Sequence, residues 1–254
     1  MAVGSSNSFD LVVIGGGTGG YAAAFRAGQL GLRVALVDEQ PRIGGTCLFS
    51  GCIPTKAMLE SAELYERIKR AGDYGISLAT EAILDYAVVA KRRDGVVDRL
   101  AKGLVALTKK NKVEHIRGRA TLKGGKKVSV ATLDEDGKAS GERPLDATDV
   151  ILASGSRVKS LPGLEPDGQR IITSDEATTS HALPQSIIVV GAGAVGVEFA
   201  SFYHDAGVEV TLLEYLDRVT PLEDTEVSKE LERSFRRRGM KVVTGARFDP
   251  ASVK

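Results

Sequence analysis

Two stretches of the chain share one pattern of apolar and polar positions. Phe9-Asp10-Leu11-Val12-Val13-Ile14 is a short apolar run rich in β-branched residues, followed at once by Gly15-Gly16-Gly17-Thr18-Gly19-Gly20. Such a run with a glycine cluster behind it predicts a buried parallel strand entering a tight turn. An alanine-rich helix is predicted over Tyr21 to Leu30, closed by Gly31, and a strand over Leu32 to Val37, ending at Asp38. The pattern returns later in the chain. Ile187 to Val190 reads as a strand, Gly191-Ala192-Gly193-Ala194-Val195-Gly196 as a turn, and the stretch from Val195 to Asp205 as a helix capped by Gly207. Val208 to Leu213 reads as the next strand, ending at Glu214. A whole supersecondary unit is therefore duplicated.

Between the copies, Thr55 to Arg70 reads as a helix ended by Gly72, and Glu81 to Asn111 as one or two helices. Val97, Leu100, Leu104 and Leu107 fall at helical spacing, which assigns Lys91, Arg92, Arg93, Lys109 and Lys110 to solvated faces. Val113 to Val150 changes character: Lys127 to Val130 alternates, and Gly124-Gly125 and Asp134 to Gly137 mark turns, predicting a small antiparallel meander. Val150 to Ser156 reads as a strand running into a turn. Pro162, Gly163, Pro166 and Gly168 form a breaker-rich linker, which puts a domain boundary near residue 157. Leu222 to Arg238 reads as a charged helix and Gly239 to Val243 as the start of a further strand. The fold class expected is α/β, with two Rossmann-like dinucleotide-binding domains in tandem. The first covers residues 1–156 and carries the meander; the second covers 157–254 and is incomplete.

Both turns fit G-x-G-x-x-G, and each residue has a physical task. Gly15 and Gly191 permit the tight turn, Gly17 and Gly193 let the backbone approach a pyrophosphate, and Gly20 and Gly196 let helix and strand pack closely. The helix N-terminus presents unpaired N–H groups to phosphate. Asp38 can accept the ribose hydroxyl hydrogens, with Glu39 a second candidate. Glu214 plays the same part in the second copy, where a carboxylate favours the free ribose of NAD over the 2′-phosphate of NADP; Arg218 is close by in sequence.

Composition narrows the picture. The 254 residues carry a formal net charge of +1 and no basic block, which argues against a nucleic-acid surface. No run of about eighteen apolar residues predicts a membrane span. Met1 to Phe9 lack the apolar core of a signal peptide and the arginines of a transit peptide, so a cytoplasmic setting is expected. No histidines and acids stand at metal-ligand spacing, and His115, His181 and His204 read as ordinary loop or surface histidines, His115 also as a candidate neighbour of an adenine.

The only two cysteines lie in Gly44-Gly45-Thr46-Cys47-Leu48-Phe49-Ser50-Gly51-Cys52-Ile53-Pro54-Thr55-Lys56. Five residues of ideal helix rise about 7.5 Å, whereas a disulfide wants Cα atoms within about 6.8 Å. A bond there needs a distorted first turn, and a strained bond is easily reduced. By spacing alone, a cycling redox dithiol and a pair of structural cysteines both fit.

That segment closely resembles the active-site segment of the flavin-dependent pyridine-nucleotide disulfide oxidoreductases. The run Gly19-Gly20-Tyr21-Ala22-Ala23-Ala24-Phe25-Arg26 resembles the dihydrolipoamide dehydrogenases among them. The resemblance implies that a Cys47–Cys52 disulfide exchanges with dihydrolipoamide and relays electrons through FAD to NAD, with Cys47 facing substrate and Cys52 nearer the flavin. It implies that Gly45, Thr46, Gly118, Ser154 and Gly155 line the FAD site beside Gly15, Gly17, Gly20 and Asp38. It also implies that Lys56 lies against the flavin and pairs with Glu198 across the two domains. The partners it implies are a lipoyl-bearing acyltransferase or lipoyl domain of a 2-oxoacid dehydrogenase complex, and a second copy in a homodimer of the full-length enzyme. Family members are much longer and carry a C-terminal interface domain with a catalytic histidine. The chain is therefore expected to be an N-terminal portion, poorly stable and largely inactive alone. Glutathione or mercuric reductases share the dithiol, though Ile53-Pro54-Thr55-Lys56 and Glu214 argue against the NADP-dependent ones. A transhydrogenase relative would lack the cysteines. From a different class, a non-catalytic nucleotide-binding module also fits this polypeptide.

Overall fold

The structure, a computed structural model, describes residues 7–247 and Asp249; the first six residues of the polar N-terminal stretch lie outside the described residues. The fold is α/β, and the chain divides into two compact units. One takes residues up to Cys52 and 97–157, the other 53–96 and 158–254.

The first unit begins with β1 (Ser8–Ile14), α1 (Thr18–Gln29), β2 (Val34–Asp38) and the single-turn helix α2 (Gly45–Phe49). Two long helices, α3 (Cys52–Lys69) and α4 (Tyr86–Lys110), each have one part in each unit. β3 (Glu114–Leu122), β4 (Lys127–Leu133) and β5 (Ala139–Leu152) follow. The five strands form a closed ring in which β1 pairs in parallel with β2 and β5, and β2 with β3. The β3–β4 and β4–β5 pairs are antiparallel. β5 closes the ring because one strand has two partners: its first half lies beside β4, and from Asp146 to Leu152 it lies beside β1. The sequence divided this stretch into the end of a meander and a separate strand, yet the backbone is continuous.

The ring explains why β1 and β2 are apolar at successive positions. Leu11, Val13, Val34 and Leu36 pack outward with Ala24, Phe25 and Ala27 of α1. Phe9, Val12, Ala35 and Val37 pack inward with Ile116, Val128, Val130 and Leu145. Both faces are covered, as in parallel strands generally, and each fully buried valine or leucine contributes about 1.5–3 kcal/mol.

In the second unit, α5 (Ser174–Thr179) precedes β6 (Ser186–Val190), α6 (Ala194–Asp205), β7 (Glu209–Leu213), α7 (Thr225–Arg237) and β8 (Lys241–Val243). The three strands are parallel in the order β6-β7-β8. Phe199, Phe202 and Tyr203 of α6 pack on Val210, Leu212 and Val242, and Tyr86 and Met58 complete the cluster. Burial, with Tyr86 adjoining, pushes the Tyr203 phenol up to about 12. α4 runs unbroken through Gly95 and Gly103. Its expected apolar stripe is only partly covered, since Leu100 and Leu107 are exposed.

Arg93 overturns the expectation of a solvated face. Its side chain is 2% exposed. The guanidinium donates to the carbonyl of Ser180 at 2.7 Å and of Thr179 at 3.4 Å, and to Asp94 at 2.9 Å. The two carbonyls stand at the C-terminal end of α5, where unpaired carbonyls need donors. Charge at position 93 is thus a helix cap, which sequence periodicity cannot distinguish from a surface residue.

Candidate functional site

Each unit carries one glycine turn, and the two are built alike. In the first, Gly15 has φ +105°, and a Cβ there would fall 2.1 Å from the carbonyl oxygen of Ala153, just past β5. A Cβ at Gly20 would meet the Gly15 carbonyl oxygen at 1.7 Å. In the second, Gly191 has φ +99° and a Cβ at Gly196 would meet its carbonyl oxygen at 1.8 Å. The first and last glycines of each motif are therefore steric necessities. The N–H of Gly15 donates to Val37 O and that of Gly191 to Leu213 O, each at 2.8 Å, tying each turn to its second strand.

The helices that leave these turns are left bare. The N-cap residues of α1 and α6 are Gly17 and Gly193, so neither helix has a capping side chain, and neither has an acid in its first turn. Two other helices carry side-chain caps: Thr173 and Glu176 form a capping box on α5, and Asp224 caps α7. Unpaired N–H groups and the positive dipole end thus stand open at α1 and α6, which suits an anion.

The acids close each turn from the other side. Asp38 accepts from the N–H of Gly16 through Oδ2 and from that of Gln40 at 2.7 Å through Oδ1. Glu214, buried, accepts from the N–H of Ala192 at 2.6 Å and of Leu216 at 2.9 Å. Acid and turn residue are 22 positions apart in both copies. Glu39 faces elsewhere: it forms a two-pronged pair with Arg119 at 2.9 and 3.1 Å. Of the two neighbouring acids in the first unit, Asp38 is the one at the turn. Arg218 donates to the carbonyl of Pro221, and its buried Nε has no hydrogen-bond partner among the described residues.

The cysteine segment is two helices with a break between the cysteines. Cys47 lies in the single turn of α2 and is half-buried; Cys52, exposed, is the first residue of α3. Ser50 and Gly51 separate the helices, and a Cβ on Gly51 would come within 2.9 Å of the Thr46 carbonyl oxygen and 3.3 Å of Cys47 Cα. Gly44 and Gly45 have φ of +145° and +61°. The N–H of Gly44 donates to Gly16 O at 2.8 Å, and a Cβ on Gly45 would lie 2.6 Å from Gly17 Cα. The cysteine segment therefore rests directly on the first glycine turn, with Thr46 in α2. Arg42 stacks over Phe49 at 5.0 Å and bonds Asp98 at 2.7 Å.

In the second unit, Lys56 Nζ and Glu198 Oε1 are 2.5 Å apart. Lys56 is on the first turn of α3 and Glu198 on α6, and both belong to the same unit rather than to two. Ser154 and Gly155, the latter with φ +76°, follow β5 in the first unit, next to the Gly15 contact. Gly118 lies within β3, opposite Thr132, where a Cβ would strike the Ala131 carbonyl oxygen at 2.5 Å. His115 is in β3, opposite Leu36, and not in a loop. Burial holds its imidazole below the ordinary histidine value, with Asp38 opposing and Arg117 adding to the effect.

Sequence reasoning missed Ile43 and Thr220, and named Gly44 only as part of the cysteine segment. The N–H of Thr220 donates to Ala192 O at 2.7 Å, as Gly44 does to Gly16 O, and Thr220 has φ +41°. Ile43 and Val219, just before them, are both buried. The available signal was the internal duplication carried past the acid, where Ile43-Gly44 aligns with Val219-Thr220. Among the described residues no helix is long and apolar enough to cross a membrane.

A family model described as pyridine nucleotide-disulphide oxidoreductase matches residues 9–253. A protein named dihydrolipoyl dehydrogenase from Bacillus subtilis (strain 168) is 45% identical over 251 residues, covering 98% of this chain and 52% of the relative. A leghemoglobin reductase from Vigna unguiculata is 39% identical over 237 residues, covering 93% of this chain and 44% of its own. The crystal structure of LpdA from Mycobacterium tuberculosis aligns with a TM-score of 0.81 at 31% identity, covering 93% of this chain and 51% of that one. The chain spans about half the length of the curated relatives it matches.

Proposed function

This chain belongs to the pyridine nucleotide-disulphide oxidoreductase family, and from that premise we propose that it is the dithiol-bearing portion of an enzyme oxidising dihydrolipoamide with NAD. The observation that carries the reading is a duplicated, uncapped glycine turn, each closed by an acid, with a two-cysteine segment resting on the first. In this reading residues 1–156 and 157–254 are tandem Rossmann-like domains for FAD and NAD.

The residues fit FAD in the first unit. The open N-terminus of α1 and the side-chain-free surfaces of Gly17 and Gly45 suit a pyrophosphate, and Asp38 suits a ribose. Thr46, Gly118, Ser154 and Gly155 complete that group. Gly191, Gly193, Gly196 and Glu214 serve NAD, a preference supported by the buried carboxylate of Glu214. Bound in the first unit, FAD supplies the two-electron exchange between a dithiol and NAD.

The chain's own residues handle sulfur and charge. A thiolate of dihydrolipoamide attacks Cys47 Sγ; the Cys47–Cys52 bond breaks and a mixed disulfide forms. The second substrate thiolate then attacks its own mixed-disulfide sulfur, which releases lipoamide and leaves Cys47 and Cys52 reduced, with two protons passed to base. The start of α3 stabilises a Cys52 thiolate through its N–H groups and dipole. Lys56, held by Glu198, keeps a cation on the first turn of that helix. In the whole protein the partners are a lipoyl domain of a 2-oxoacid dehydrogenase complex and a second subunit.

The test is a visible spectrum of the chain after FAD and then dithiothreitol. The expected result is a bound flavin band that gains a long-wavelength shoulder on reduction, lost in Cys52→Ser. A flavin that binds with no shoulder in the parent chain would sink the dithiol assignment.

A further inference from the structure

The two turns solve one packing problem with different residues. In the first unit the residue between the first two motif glycines is Gly16, its acid is the short Asp38, and the side chain beneath is Ile43. A Cβ at Gly16 would lie 2.9 Å from Ile43 Cγ2, 3.0 Å from Asp38 Oδ2 and 3.2 Å from Asp38 Cβ. Gly16 does not have a positive φ, so its backbone would accept any residue. The three atoms nearest to such a Cβ all belong to these two side chains. In the second unit the same places hold Ala192, the longer Glu214 and the smaller Val219, all buried. Ala192 and Val219 belong to one apolar cluster. A methyl gained at the turn is matched by a methylene lost beneath it, and the acid is one methylene longer. Yet the bonds are the same: acid to the turn N–H, acid to the N–H two residues on, and turn carbonyl to the N–H of Gly44 or Thr220.

We propose that Ile43 is a positioning residue for Asp38, and that Gly16, Ile43 and Asp38 form a matched set that fixes how far the carboxylate reaches toward a nucleotide ribose. This rests on the reading of the first turn as the FAD site. The contact of Ile43 with the space above Gly16 holds residue 16 to glycine. The absent Cβ lets a one-methylene acid reach the turn N–H, and the lone pairs left on the same carboxylate are thereby aimed at the ribose hydroxyls. The second unit obtains the same aim with a different set, so members of the two sets do not exchange singly but exchange together.

The experiment compares the parent chain with Gly16→Ala and with the combined exchange Gly16→Ala, Ile43→Val and Asp38→Glu. Binding of FAD and of its 2′-deoxyadenosine analogue is followed by flavin fluorescence, and thermal melts are recorded without ligand. Gly16→Ala is expected to weaken FAD by about tenfold or more, the scale of a core overpacking, and to erase the preference for FAD over the deoxy analogue. The combined exchange restores affinity to within about threefold and restores the preference. A purely structural role would lower both ligands equally and leave the preference intact, which overturns the proposal. So does a combined exchange that binds no better than Gly16→Ala. If the parent chain binds no FAD, the functional reading fails, and the melts decide the matched set: recovery in the combined exchange upholds it, additive losses refute it.

Discussion

Replacing Glu214 by glutamine tests whether the second acid holds its turn together. Glu214 is 8% exposed, and its two oxygens accept from the N–H groups of Ala192 and Leu216 at 2.6 and 2.9 Å. Hydrogen bonds to a charged group contribute about 1.5–3 kcal/mol each, and a buried donor left unpaired costs about 1–3 kcal/mol. Glutamine keeps one acceptor oxygen and turns the other atom into a donor. One bond therefore persists in weaker, neutral form, while one N–H faces another donor. The expected loss is about 2–4 kcal/mol, a large share of a stability on the order of 5–15 kcal/mol. In a melt followed by circular dichroism this lowers the transition by roughly 4–16 °C. Glu39→Gln is the control, because the Glu39 carboxylate pairs with the exposed Arg119 and its removal leaves the melt unchanged. An NAD titration by calorimetry accompanies the melt and is expected to show a weakened site in Glu214→Gln alone. A Glu214→Gln chain that melts within about 1 °C of the parent would refute the reasoning, since on the scale of a few degrees per kcal/mol no orphaned donor was then created.

Arg93→Met removes the buried cap on α5 and is expected to cost about 2–4 kcal/mol in urea unfolding; Ser180 O keeps Tyr86 OH at 3.3 Å, which limits the loss. Arg93→Lys does not restore it, because a point charge cannot serve three acceptors in a plane. At the other end of α5, Glu176→Gln weakens the capping box by about 1 kcal/mol near neutral pH. The side chain and N–H of Thr173 hold the Glu176 carboxyl below its ordinary value of 4.5. A depressed carboxylate contributes stability that is complete above the unfolded value and is lost as pH falls through the folded one. The gap between parent and variant melts should therefore close below pH 4.5, and a gap independent of pH would count against the capping box.

Much of this molecule was legible before any coordinates. The apolar run at Phe9 to Ile14 determined a strand covered on both faces, whereas the run at Ile187 to Val190 determined a strand but not its burial, since Ile188 and Val190 are exposed. The glycine spacing determined the turns, because Gly20 and Gly196 admit no Cβ against the carbonyls of Gly15 and Gly191. The repeat of acid after turn determined that there are two such places. These are local facts, set by backbone sterics and by a period that a linear chain displays. What the chain could not display is which distant groups meet. Tertiary structure decided that β5 serves two partners, that Arg93 is buried as a cap, and that Asp38 rather than Glu39 faces the turn. It decided that Lys56 and Glu198, 142 positions apart, form one ion pair. It also broke the cysteine segment into two helices at Ser50 and Gly51, while Gly44 and Gly45 turn the backbone to lie on the first glycine motif. Each outcome depends on a contact partner supplied by chain closure, and sequence periodicity carries no record of that partner.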